Sequence, residues 1–120
     1  MGEARKHHEL RVWREAIELV KEVYRVTSAF PREEAYGLTS QMRRAAVSVP
    51  SNIAEGAARI SRKEFLQFLS VGRGSLSELE TQVVIASELG YLDDKEGIET
   101  RMETVFSLLG GLVRAVKGGK

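Results

Sequence analysis

The chain of 120 residues has no cysteine, only two prolines, two histidines and a single tryptophan. Without cysteine there is no disulfide scaffold, thiolate metal site, thiol nucleophile or covalently attached haem, and the composition is compatible with a reducing cytoplasm. Long apolar runs are missing too: nothing approaches the roughly 18 consecutive apolar residues of a membrane span. The charged opening "MGEARKHHELR" is not followed by the apolar region of a signal peptide. A cytoplasmic location and no membrane partner are the expectation. Charge of one sign is also lacking, since 18 Lys and Arg face 17 Asp and Glu for a net +1. Any attraction to nucleic acid must therefore come from a local basic patch.

What the sequence has in quantity is helical periodicity. Apolar residues at Trp13, Ile17 with Ala16, Val20, Tyr24 with Val23, and Phe30 recur in steps that place them on one helix face, and "FPREE" closes that segment because Pro31 cannot continue it. Leu38, Met42, Ala45, Val49, Ile53 and Ala57 form a second stripe whose phase is kept across Pro50. The spacing predicts one helix bent at the proline, with Ser48 or Asn52 turning to the Ala46 carbonyl that Pro50 leaves without a donor. "SRKE" has the form of a capping box, with Ser61 at the N-cap and Glu64 three residues on. It opens a third helix along Phe65, Leu69, Gly72, Leu76, Leu79, Val83 and Ala86, which ends at Gly90. Asp93, with Glu96 three residues later, is the expected cap of a fourth helix carrying Ile98, Met102, Val105, Leu109, Leu112 and Val116. No strand pattern competes. The expectation is a single all-α domain over residues 1–120, with an ordered core of about 9–117: an antiparallel up-down four-helix bundle.

Catalytic chemistry finds no footing in these residues. A di-iron carboxylate site wants Glu-x-x-His on two helices, and the sequence has no such pair. His7 and His8 are adjacent, so on a helix they diverge by about 100° and cannot share a metal without ligands from elsewhere. "GRGS" at 72–75 lies inside an apolar heptad run and not after a strand, the wrong setting for a phosphate cradle. Ser48, Ser51 and Ser75 have no histidine base in the body of the fold. No enzyme activity and no cofactor are expected.

One stretch departs from core packing. In "QMRRAAVSVPSNIAEGAAR", Gln41, Arg44, Ser48, Asn52 and Glu55 form a polar stripe beside the apolar one, and Ser75, Glu78 and Gln82 form a similar stripe on the third helix. A solvated face is the plain explanation. Against it stand the small residues around the stripe (Ala45, Ala46, Ala54, Ala57, Ala58, Gly72 and Gly74) and the poor helix propensity of Ser48 and Asn52, which favour close helix approach and a packed polar network. We expect a polar seam within one bundle or between subunits, with Arg44 or Arg43 facing Glu55 or Glu78. Asn52 and Glu55 would reach the facing helix through Ser75, Glu78 or an arginine. Trp13, Tyr24 and Tyr36, together with the small-residue face of the second helix, exceed what one thin bundle needs to bury, so a homo-oligomer is expected.

The stretches "LRVWREAIELVKEVY", "FPREEAYGLTSQMRRAAVSVPSNIAEG", "SRKEFLQFLSVGRGSLSELETQ" and "LGYL", in this order from about Leu10 to Val116, resemble a four-helix bundle family. That family includes proteins encoded in intervening sequences of bacterial large-subunit ribosomal RNA genes. More distantly, the chain is similar to the accessory variability determinant proteins of diversity-generating retroelements. The resemblance implies a homopentameric ring of bundles and, through the retroelement relatives, a basic surface that binds nucleic acid and a reverse transcriptase. It implies no catalytic activity. Arg73 stands where the family usually has a small residue.

Two classes of function follow. The first is an accessory protein that binds structured RNA or DNA, with Arg43, Arg44, Arg59, Arg62, Lys63 and Arg73 as candidate phosphate contacts and Glu55 and Glu64 opposing them. The second is an assembly module that scaffolds a protein partner without touching nucleic acid.

Overall fold

A computed structural model describes residues 6–118. A 3-10 turn, Lys6–Glu9, leads into α1 (Arg11–Thr27); a second, Arg32–Glu34, leads into α2 (Leu38–Ala57); α3 (Arg62–Glu88) and α4 (Glu96–Gly118) follow. No strand occurs among the described residues, and the fold is all-α. Each helix packs on two others, α1 and α3 both lying against α2 and α4, with the most extensive packing between α2 and α3.

On α3 the buried positions are those the spacing predicts, Phe65, Leu69, Gly72, Leu76, Leu79, Val83 and Ala86, with Gln82 in addition. Ser61 caps the helix by accepting the Glu64 amide at 3.1 Å. At the other end Gly90 adopts φ +79. The Tyr91 amide donates to the Ala86 carbonyl at 2.9 Å and the Gly90 amide to that of Ser87 at 3.0 Å, a pair of bonds that satisfies two of the carbonyls in the last turn.

α1 differs from expectation by one residue. Its buried stripe is Val12, Ala16, Leu19, Val23 and Thr27, while Trp13, Ile17 and Val20 are half-buried at the edge and Tyr24 is exposed. Apolar residues stand side by side at several positions of this helix, so two registers satisfy the same period. Thr27 can occupy a core position because its hydroxyl donates to the Val23 carbonyl at 2.7 Å. The helix also ends before Phe30. Pro31 pushes the preceding residue out of helical geometry, and Phe30 turns inward, its ring 5.5 Å from that of Tyr91.

α2 runs without interruption through Pro50, which is itself buried. The expected side-chain partner for the Ala46 carbonyl is not formed. Asn52 instead donates to the carbonyl of Ser48 at 2.8 Å, because a short amide reaches back four residues along its own helix and not six. On α4, Asp94 and not Asp93 receives the Glu96 amide, at 3.0 Å. Ile98, Met102, Val105 and Leu109 are buried, whereas Leu112 and Val116 are only half-buried as the helix leaves the core.

Glu34 ties the turns together. Its Oε1 accepts the Leu38 amide at the start of α2, at 3.0 Å, and its Oε2 accepts the Tyr91 hydroxyl from the α3–α4 turn, also at 3.0 Å. The bond to Glu34 holds the Tyr91 phenol above its ordinary pKa. A raised folded-state pKa means that this contribution to stability is full below the unfolded tyrosine value and is lost as pH rises through the folded one. An ultraviolet pH titration should therefore show a late tyrosine ionisation that vanishes in Tyr91→Phe.

Candidate nucleic-acid interface

α2 and α3 approach closely because small residues line their contact. A methyl group at Gly56 would lie 2.9 Å from Phe65 Cδ1 and from Phe68 Cβ, and 3.2 Å from the Phe65 carbonyl oxygen. Further along, buried Gly72 lies against Asn52 and Val49. Beyond Gly72 runs the polar seam, and among the described residues its only direct bond across the two helices is Ser48 Oγ to Ser75 Oγ at 2.7 Å. The Asn52 amide donates to Ser48 Oγ at 2.8 Å and so supports that bond from behind. Asn52 thus makes no hydrogen bond of its own to the facing helix among the described residues, and neither does Glu55, which pairs at 2.7 Å with Arg59, two residues past the end of its own helix. Both corrections have one cause: a polar partner four residues along the chain is within reach and takes the bond.

Arg44 and Glu78 do come to the same place. They line a groove of about 430 Å³ with Gln41, Ala45, Ser48 and Ser75, and no ion pair joins them among the described residues. Gln82, only 5% exposed, donates to Glu78 at 3.2 Å, while its Oε1 has no partner. Replacing Asn52 with leucine removes the amide's two bonds but leaves the serine pair intact. A loss of roughly 1 kcal/mol in a denaturant titration is expected, at the low end of what an unpaired seam costs.

The six candidate cations separate into groups. Arg43 turns toward α1, where its Nε donates to Thr27 Oγ1 at 2.9 Å and its guanidinium lies 4.4 Å over the Tyr24 ring. It does not face Glu55 or Glu78. Arg59 is held by Glu55 and sits 4.7 Å over the Phe68 ring, so packing claims much of its side chain. Arg44, Arg62, Lys63 and Arg73 are exposed and make no ion pair among the described residues.

Arg62 and Lys63 are neighbours in the first turn of α3, where the unpaired amides of a 27-residue helix add partial positive charge. With Leu66, Gln67 and Ser70 they line a shallow depression of about 520 Å³. Arg59, at the end of α2, adds its charge to this corner, and exposed Glu64 subtracts from it. Arg44 lies about 20 Å back along α2 and Arg73 about 15 Å along α3, on a 1.5 Å rise per residue. No helical repeat points to the depression of about 610 Å³ that includes Tyr24, Arg43 and Val47, which join from α1 and α2. Among the described residues no three His, Cys, Asp or Glu side chains come together to hold a metal ion. Among these residues no helix is long and apolar enough to cross a membrane.

No curated protein sequence matches the chain. A family model described as 23S rRNA-intervening sequence protein matches residues 8–111, which takes in α1, α2, α3 and most of α4. The chain belongs to the 23S rRNA-intervening sequence protein family.

Proposed function

We propose that this protein is a non-enzymatic, cytoplasmic accessory protein that binds structured RNA or DNA at the corner between α2 and α3. It acts as a homo-oligomer of antiparallel up-down bundles, a pentameric ring by the resemblance described above. The observation that carries the binding site is the pair of exposed, unpaired cations Arg62 and Lys63 on the positive end of α3, with Arg59 beside them. Phosphate is the ligand such a corner takes most readily, through charge-assisted bonds to side chains and backbone amides. Because the chain as a whole carries only +1, attraction depends on this patch and on its repetition around an oligomer. Fluorescence anisotropy with a structured RNA across a salt series tests the proposal. Affinity should fall steeply and linearly on a log–log plot, as phosphate contacts require; no binding at low salt refutes it.

The assembly-scaffold alternative draws on a different feature, the large apolar side chains of Val71 and Ile85 left exposed on α3 and of Leu89 just past its end. Gly74 lies on the same helix with nothing within 4 Å of an added methyl. In an isolated chain Gly74→Ala should raise stability by up to about 1 kcal/mol through helix propensity alone. If this face docks a second copy, the methyl weakens assembly instead. Thermal melting combined with light scattering separates the outcomes, and a monomer at high micromolar concentration removes the oligomer from the proposal.

A further inference from the structure

We propose that the depression between α1 and α2 is a stacking site for an unpaired base of a single-stranded nucleic acid. This rests on the nucleic-acid reading above and adds to it a second contact of different chemistry. The depression has a volume of about 610 Å³ and is lined by Tyr24, Thr39, Ser40, Arg43, Arg44 and Val47 among others, within the range of small-molecule sites, roughly 300 to 1,000 Å³. Its flat surfaces are the Tyr24 ring, 44% exposed, and the Arg43 guanidinium stacked 4.4 Å from it.

Arg43 is fixed in that position by its bonds to Thr27 Oγ1 at 2.9 Å and to the Tyr24 carbonyl at 3.4 Å. The pair is thus set before any ligand arrives. Aromatic rings and guanidinium planes accept any base by its π face. Ser40 offers a hydroxyl on the rim, and Arg44 supplies an exposed cation for the adjoining phosphate. Tyr36, next in sequence to the lining residue Ala35, is 99% exposed. It offers a second ring for a neighbouring base.

Of the nearby carboxylates, Glu22 is balanced by an arginine, whereas Glu33 and Glu34 keep their charge and oppose the phosphate that Arg44 attracts. Glu34 is engaged by the Leu38 amide and the Tyr91 hydroxyl, and Glu22 is paired with Arg25 at 2.6 Å. Glu33 remains exposed in the turn. A duplex keeps its bases stacked inside and cannot use such a site, whereas a single strand or an unpaired loop can.

The test uses the full chain and two RNA probes of equal length, a single-stranded oligouridylate and a fully paired duplex, measured by anisotropy at several salt concentrations. Tyr24→Leu should weaken binding of the single strand about tenfold while leaving its salt slope and the duplex affinity unchanged. Arg44→Ala should lower the single-strand slope by about 0.7. In the wild-type chain, a 5-iodouridine oligonucleotide should crosslink under light to Tyr24 or Tyr36, a measurement that does not depend on any variant folding. Single-strand affinity unaffected by Tyr24→Leu, crosslinks confined to other residues, or a changed oligomeric state of the variant would overturn the stacking site. If duplex binding with a steep salt slope persists beside such a result, the corner between α2 and α3 stands and only this site falls. If neither probe binds at low salt, both fall.

Discussion

Gly56→Ala should lower the thermal midpoint by roughly 4–8 °C, which corresponds to about 1–2 kcal/mol for a domain of this size. Helix propensity argues the other way, since alanine within a helix gains up to about 1 kcal/mol over glycine. The contact geometry decides the sign. The added methyl meets Phe68 Cβ at 2.9 Å and the Phe65 carbonyl oxygen at 3.2 Å, and both atoms are fixed to the backbone of α3. Relief requires the end of α2 to move away from the start of α3, and overpacking of this kind costs typically 1–3 kcal/mol. Gly72→Ala is the control. There the nearest atoms are Asn52 Cβ at 3.5 Å and the Val49 carbonyl at 3.6 Å, ordinary contacts, so propensity wins and the variant should be as stable as the parent or slightly more so. A calorimetric scan that ranks Gly56→Ala at or above Gly72→Ala would show that α2 and α3 are not held together as described.

These two glycines also mark how far the sequence speaks for itself. The small residues in and around the polar stripe announce a close α2–α3 contact, and the strict spacing on α3 names its core residues correctly because its other apolar residues, such as Val71 and Ile85, do not keep a helical step along the whole helix. On α1 two registers coexist, with Val12 beside Trp13 and Ala16 beside Ile17, and periodicity alone cannot choose between them. Adjacent acids hide the cap of α4 in the same way: Asp93 and Asp94 are equivalent on paper, and only the path of the turn selects Asp94. The site was legible as a set of residue types and not as a set of partners. Ser48, Asn52 and Ser75 do join, yet Arg43, one of the two arginines expected to face Glu55 or Glu78, turns to Tyr24, 19 residues away on another helix. Helical spacing describes one helix at a time and carries no information about that contact.

The second large effect concerns Arg62 and Lys63. Both are exposed and outside any ion pair among the described residues, so replacing both with alanine should leave the fold and its melting temperature unchanged within the small range typical of surface substitutions. Affinity for structured RNA should fall by about tenfold or more at moderate salt, as two fewer phosphates are neutralised. Arg59→Ala is a less clean probe. Its guanidinium also covers the Phe68 ring and pairs with Glu55, so part of any loss would be structural. Charge reversal, Arg62→Glu with Lys63→Glu, should abolish binding at salt concentrations where the alanine variant still binds weakly.

The most direct measurement is the slope of log affinity against log salt for one structured RNA, taken for the parent chain and for Arg62→Ala/Lys63→Ala under identical conditions. Loss of two phosphate contacts should make the slope shallower by about 1.4 to 1.8 per chain engaged. An unchanged slope with unchanged affinity would contradict the assignment, placing the interface elsewhere on the molecule or removing nucleic acid from its function.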